Sequence, residues 1–406
     1  MNKQRVQDWD LLYHSFVKLL DAHVRVYLAC TGAGAGLQDM LWSVPGCSSF
    51  FAGAEFPYDA SATERFLGFR PEQFCSVETA IDMALESYSR ACIERGRVTV
   101  LRPIGLGLTA SVASLRAHRG EHRICAAVAT REGVQAVEGV LKKDAGVRAR
   151  IQDGCIADCV GRSLILRAAK IGEGRSGDAC EFGDQVPVEP VDVTEQAREQ
   201  FLARGFHTAD GRRLAATPEV LGDRVLFPGA FNPPHEGHFH IAHKVAQWAR
   251  VPAVFAVTAN APHKPPVPLA ELVERAALLR GYDRMFTEGD SLYLDKARRY
   301  PGCAIVLGVD ALRRLLDPKW GQAIEPLLRE FERLGTRFYV FGRLVGGEWT
   351  TLNDVLTNAD LHLAPLLVRL CRSISGRWDI SSSELRVSGE ARHQAEQTLE
   401  TRTEGG

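Results

Sequence analysis

Two histidines three residues apart, His235 and His238, close the segment Phe227-Pro-Gly-Ala-Phe-Asn-Pro-Pro-His-Glu-Gly-His238. Gly229 lets the backbone turn tightly, Pro233 and Pro234 stiffen the loop, and the histidines fall where a helix begins. Both imidazoles can then face one phosphate-binding pocket. Nucleotidyl transfer needs no covalent enzyme nucleophile, because an acceptor phosphate oxygen can attack the α-phosphorus of ATP. The protein has only to position the two and stabilise charge on the pentavalent transition state. Imidazole donors, a helix N-terminus, a lysine and an arginine suit that task. A structural histidine pair at a helix start is the alternative for these two residues taken by themselves.

The elements that must hold this loop alternate. Arg224–Phe227 reads as a strand, Gly237–Arg250 as a helix, Ala253–Thr258 as a strand, Leu269–Leu279 as a helix and Ala304–Leu307 as a strand. The helix Ile324–Leu334 and the strand Arg337–Phe341 continue the series. Such alternation predicts a mainly parallel sheet with helices on both faces and ligands at the carboxyl ends of its strands. Upstream, the spacing of apolar residues predicts a helix over Asp10–Asp21, and Val24–Cys30 reads as a buried strand ending in Thr31-Gly-Ala-Gly-Ala-Gly36. A helix over Val77–Arg95 and strands over Arg97–Ile104 and Ile124–Ala129 complete an α/β beginning. Glycine, proline and charge concentrate after about residue 170, and a helix is expected at Thr194–Ala203. The organisation is therefore a domain over 1–168, a linker and connecting helix over 169–220, a second domain over 221–395 and a tail over 396–406.

Lys and Arg number 49 against 50 Asp and Glu in 406 residues, so no global field recruits nucleic acid or an anionic membrane surface. No apolar run approaches 18 residues and the start lacks a secretory core, which predicts a soluble, cytoplasmic protein. The ten cysteines are scattered, and Cys155 and Cys159 have no second pair nearby. Buried free thiols are expected, with no zinc site.

At this point the second domain resembles the nucleotidyltransferase superfamily marked by His-x-Gly-His, specifically the nicotinate or nicotinamide mononucleotide adenylyltransferases. Pro228-Gly-Ala-Phe-Asn-Pro-Pro-His235 is similar to that family's opening loop, with Pro228 in place of the usual first glycine. Ala261-Pro-His-Lys264 resembles its proline-histidine-lysine loop, Leu307-Gly-Val-Asp-Ala-Leu312 its glycine-x-aspartate motif, and Ile380-Ser-Ser-Ser-Glu-Leu-Arg386 its serine-rich terminal motif. The resemblance implies a Rossmann-like fold and ATP with Mg2+ held mainly through the ATP phosphates, no metal ligand being read from the chain itself. It implies His235, His238, Lys264 and Arg386 as catalytic residues. Gly229, Ala230, Phe231, Gly237, Ser382 and Ser383 would bind ATP; Asn232, Asp310 and Trp320 would bind the phosphorylated acceptor.

The first domain resembles the CinA C-terminal family, whose active members are nicotinamide-nucleotide amidases, in an α/β/α fold. Ala29-Cys-Thr-Gly32, Pro45-Gly-Cys-Ser-Ser-Phe-Phe51, Tyr58 and Ser76-Val-Glu carry the likeness. Ala29 stands where the nucleophilic serine belongs, and a methyl group cannot attack an amide. Leu28 replaces the glutamate. The expectation is a domain without amidase activity, with Thr31 and Tyr58 as ligand contacts, Cys30 and Thr31 as conceivable replacement nucleophiles, and association into a homo-oligomer by resemblance. The function expected of the whole is adenylyl transfer to a pyridine mononucleotide. A different phosphorylated acceptor, a cytidylyl donor, or nucleotide sensing without turnover are the alternatives.

Overall fold

The structure is a computed structural model that describes residues 15–94, 97–115, 120–171, 189–260, 264–317 and 323–377. The chain forms two compact units that are not contiguous in sequence. The first takes the residues up to Arg204 together with Gly211–Arg213 and Val267–Leu278; the second takes Gly205–Asp210, Leu214–Pro266 and the chain from Leu279 onward. Both are α/β, and no described helix is long and apolar enough to cross a membrane.

In the first unit β1 (Val24–Thr31) is followed by α1 (Gly36–Trp42) and β2 (Phe51–Glu55), and the long helix α2 spans Val77–Ala91. Then come β3 (Arg102–Ser111), β4 (Arg123–Ala129), β5 (Val134–Val140), α3 (Val147–Ala168) and β6 (Val191–Asp192). The sheet order is β2-β1-β3-β4-β5-β6. β2 and β3 run parallel to β1, and the remaining pairs are antiparallel. Apolar side chains leave both faces. Val26, Leu28, Leu106 and Ile124 pack with Leu37 and Leu41 of α1 and Leu164 of α3, while Ala29 meets Met83 of α2 on the opposite face. Ser76 caps α2 by accepting from the Thr79 N–H at 3.2 Å. The helix Leu269–Leu278 belongs to this unit by its bonds, since Glu274 accepts from Tyr88 Oη at 2.8 Å and from Arg131 at 3.2 Å.

Three expectations change here. The helix over Val77–Arg95 stops at Ala91, because Ile93–Glu94 pairs with Arg97–Val98 in a short antiparallel ladder. That ladder also takes the start of the strand expected at Arg97–Ile104, so the core strand begins at Arg102. Eight described cysteines are free, as expected, but Cys159 is disulfide-bonded.

The second unit opens with the short strand β7 (Phe206–His207). It continues through β8 (Val225–Pro228), α4 (Glu236–Ala249), β9 (Ala253–Thr258), β10 (Arg284–Thr287), α5 (Tyr293–Arg299), β11 (Ala304–Gly308), α6 (Val309–Leu315) and β12 (Arg337–Phe341). A hairpin, β13 (Arg343–Val345) with β14 (Glu348–Thr350), precedes the final strand β15 (Cys371–Ile374). Its sheet contains the order β7-β10-β9-β8-β11-β12-β15, all parallel except β7. Counting from β8, the parallel strands lie in the order 3-2-1-4-5-6 of a doubly wound dinucleotide-binding sheet. The order reverses between β8 and β11, and ligands bind at the carboxyl ends of such neighbours. Leu226, Val254, Ile305 and Phe338 pack with Leu312, Leu328 and Phe331 on one face. On the other, Phe227 stacks on Phe255 at 5.7 Å, and Phe239 of α4 stacks on Tyr282 at 4.8 Å.

Candidate nucleotidyl-transfer site

The buried run of β8 delivers the chain to Gly229, whose N–H donates to Ala256 O at 3.1 Å and so fixes the exit against the neighbouring strand. Phe231 then takes a left-handed backbone, with φ 47, and turns its ring inward until only 2% remains exposed. It meets Phe227, Phe255 and His238 edge-on at 5.3, 5.0 and 5.0 Å. A Cβ on Gly229 would lie 2.6 Å from the Phe231 ring, so the fold-back of that ring calls for the glycine, whose own backbone is not left-handed. Phe231 was expected at the nucleotide; its side chain faces the core, leaving the exposed backbone of Gly229 and Ala230 at the surface. Asn232, Pro233 and Pro234 are half-buried along the rest of the loop.

His235 is the N-cap of α4 and His238 its third residue, with Gly237 buried between them. The His235 N–H donates to His238 Nδ1 at 3.2 Å, and the two rings stack with centroids 3.7 Å apart. An Nδ1 that accepts leaves the proton of a neutral imidazole on Nε2. Burial, and then Arg343 nearby, hold His235 below the usual histidine range. His238 is pushed down to about 3 by burial, by its stacked partner and by Arg343. Near neutrality both rings are therefore uncharged N–H donors at a helix start, where α4 also presents its own free N–H groups. An arriving phosphate would offset the desolvation that keeps them neutral.

Across the switch point, Gly308 ends β11 and Asp310 occupies the first turn of α6. Its carboxylate lies between two guanidiniums, Arg314 at 3.1 Å and Arg343 Nε at 3.7 Å. Arg343 is the residue that reasoning from sequence missed. It stands at the base of the β13–β14 hairpin, lies 5.8 Å from the Phe341 ring, and is the cation felt by both histidines. The signal that could have found it is positional: an arginine just past the end of a strand in a sheet that binds ligands at strand ends. The structure thus brings His235, His238 and Arg343 into one electrostatic cluster, with Asp310 beside Arg343.

Other expected residues fall elsewhere. Lys264 is exposed beyond β9, and among the described residues no contact links it to the histidine pair. Trp320, Ser382, Ser383 and Arg386 lie outside the described residues.

In the first unit Thr31 ends β1, half-buried, and Tyr58 is 70% exposed. Arg150 of α3 gathers them, donating to Gly32 O at 3.3 Å, to Tyr58 Oη at 3.1 Å and to Ala113 O at 3.3 Å. Ala29 is wholly buried. Cys30 is buried as well, and burial pushes its thiol far above the usual range, with Asp158 adding to the effect, so it is no replacement nucleophile. Asp158 lies against the start of α1 and accepts from the N–H groups of Gly36 and Leu37, while burial raises its pKa to about 6. A Cβ at Gly36 would sit 2.3 Å from that carboxylate.

Residues 226–387 match the family described as cytidylyltransferase-like. No curated protein matches the chain. Among solved structures it is similar to a competence-damaged protein (CinA) superfamily protein from Enterobacter cloacae, at 18% identity over 39% of this chain and 90% of that one, with a TM-score of 0.30. A CinA superfamily protein from Escherichia coli is 14% identical over 41% and 93%, TM-score 0.31. The competence/damage inducible protein CihA from Agrobacterium tumefaciens is 16% identical over 40% and 95%, TM-score 0.31. The match to the cytidylyltransferase-like family thus falls on the part of the chain whose described strands form the Rossmann-like parallel sheet, and it supports a nucleotidyltransferase.

Proposed function

We propose that this domain transfers the adenylyl group of ATP to nicotinate or nicotinamide mononucleotide. The acceptor's phosphate oxygen bonds to the α-phosphorus, the bond from that phosphorus to the β-phosphate oxygen breaks, and pyrophosphate leaves. The observation that carries the reading is the stacked, uncharged pair His235 and His238 at the start of α4, on the strand end beside the switch point. Neutral N–H donors hold phosphate oxygens without committing a buried charge before substrate arrives, and they strengthen as negative charge develops. Arg343 supplies the fixed positive charge, and Asp310 orients Arg343 while offering an acceptor to a ribose hydroxyl. Ser382, Ser383 and Arg386 are assigned to the polyphosphate by resemblance alone.

Among the described residues no three His, Cys, Asp or Glu side chains converge as a metal site. Mg2+ is brought in on the triphosphate by resemblance to the adenylyltransferases. The pyridine acceptor is supported by the first domain's motifs, which resemble those of enzymes acting on pyridine mononucleotides. The test is pyrophosphate release from ATP or CTP, with magnesium, against both pyridine mononucleotides and phosphopantetheine. Release that needs a pyridine mononucleotide and vanishes in His238→Ala is expected. Release only with phosphopantetheine or only with CTP reassigns the substrates, and no release with any pair means nucleotide binding without turnover.

A further inference from the structure

In the first unit, Phe74 and Cys75 lie just ahead of Ser76, the N-cap of α2. A Cβ at Gly105 or Gly107 of β3 would run into the backbone of α2, so the alternation along the strand turns Thr109 to the same face. Thr109 Oγ1 donates to Phe74 O at 2.6 Å, which holds the segment before α2 over the carboxyl end of β3. Cys75 Sγ then lies 3.8 Å from the backbone oxygens of both Thr109 and Arg123. Thr109 faces Cys125 of β4 in register, and there the two sulfurs meet: the Cys125 thiol hydrogen-bonds to Cys75. On its other side Thr109 pairs with Thr31, the last residue of β1. The thiol pair is therefore one strand away from a ligand contact expected of this unit.

The surroundings make the two sulfurs unequal. Cys75 is half-buried and Cys125 wholly buried. The hydrogen bond from Cys125 holds Cys75 below the usual thiol range against the opposing effect of burial, and Arg123 adds to the lowering. Cys125, which gives that bond and is itself desolvated, is pushed far up. By contrast, burial pushes Cys303 and Cys371 up to about 12. A reachable sulfur with thiolate character, backed by a protonated one inside, is the arrangement of an attacking and a resolving thiol.

We propose that Cys75 and Cys125 form a thiol-oxidation site for hydroperoxides, Cys75 attacking and Cys125 resolving. The Cys75 sulfur bonds to one peroxide oxygen, the O–O bond breaks, and the other oxygen leaves and takes up a proton, as water or an alcohol. Cys75 is then a sulfenic acid. The Cys125 sulfur bonds to the Cys75 sulfur, the S–O bond breaks, and water leaves with the Cys125 proton. The two thiols lose two electrons and the peroxide gains them. The disulfide pins the entry of α2 to β4, beside the strand end that carries Thr31.

The test treats the full chain, reduced and freed of reductant, with hydrogen peroxide and maps its cysteines. The Cys75–Cys125 disulfide should form about tenfold faster than Cys47, which is also half-buried, is oxidised. Cys125→Ser should stop at the Cys75 sulfenic acid, captured as its dimedone adduct, and Cys75→Ser should leave Cys125 reduced. The proposal is overturned if wild-type protein forms no Cys75–Cys125 disulfide under peroxide that oxidises Cys47, or if Cys75 is found joined to another cysteine. It is equally overturned if Cys125 oxidises at the wild-type rate in Cys75→Ser. Should either serine variant fail to fold, the wild-type map decides alone.

Discussion

At the carboxyl end of β1 the chain leaves through Gly32 and Gly34 into α1, and at the end of β8 it leaves through Gly229 into α4. Both strands have parallel neighbours on either side, and both exits aim a helix start at the ligand edge of their sheet. The backbone event is shared; the chemistry differs. In the first unit the opening N–H groups of α1 are taken by Asp158, a carboxylate delivered by α3. The two positions before the turn carry a methyl group and a thiol that burial keeps protonated. In the second unit the helix start carries two imidazoles, and the charged side chain that acts on both is the Arg343 guanidinium. A helix start binds an external anion only if the protein has not already supplied an internal one.

Substitutions at the two exits test this contrast. The largest effect is expected from His238→Ala, which should lower turnover about a thousandfold in a pyrophosphate-release assay by deleting a donor to the transition state. Near-normal turnover would place the chemistry away from α4. Arg343→Gln should cost roughly a hundredfold in kcat/KM. Because Arg343 depresses both histidines, the same change should move their titration, followed by NMR, up toward 6.5.

At the other exit, Asp158→Asn should leave turnover unchanged and alter only the pH dependence of stability. The folded-state pKa of Asp158 is raised, so its contribution is fully present below the unfolded value of 3.8 and lost as pH rises through about 6. Urea unfolding should show that loss, on the order of 2–3 kcal/mol, in wild type and not in the variant. A drop in turnover for Asp158→Asn would mean that the first exit is not closed off as described. The smallest effect is a feature that should be missing: kcat/KM should show no inflection near pH 6.5. His238 has a depressed folded pKa, so the stability it contributes is present above 6.5 and lost as pH falls toward about 3. An inflection near 6.5 would mean that the pair charges in the working enzyme.

The second exit was legible because its signals are local. A strand, the loop glycine Gly229, Pro233, Pro234 and two histidines all lie between Val225 and His238, and the alternation around them predicts the parallel sheet. Elements set by distant partners were not legible. Helix α3 has Gly154 and Gly161 in its interior, which reads against helix, yet a Cβ at Gly161 would lie 2.5 Å from Leu37, so the glycine serves packing against α1. Asp158 bonds to residues more than a hundred positions earlier, and no spacing rule links it to Gly36. The strand β5 is antiparallel and alternates its burial, so its short Val-Gln-Ala-Val-Glu run lacks the uniform apolarity that marked the strands around it. Arg343 sits on a two-stranded hairpin between core elements, where arginine carries no periodicity to notice.

The closed fit between Gly229 and Phe231 also has a consequence for anyone redesigning this domain. The loop that presents the histidines is moulded from within by an aromatic ring, so its shape is encoded as a lock of two residues rather than in either one. A randomised library at position 229 alone should return glycine. Randomising 229 and 231 together should open a second family of solutions, in which a smaller side chain at 231 makes room for a methyl at 229 and the histidines swing to a new bite.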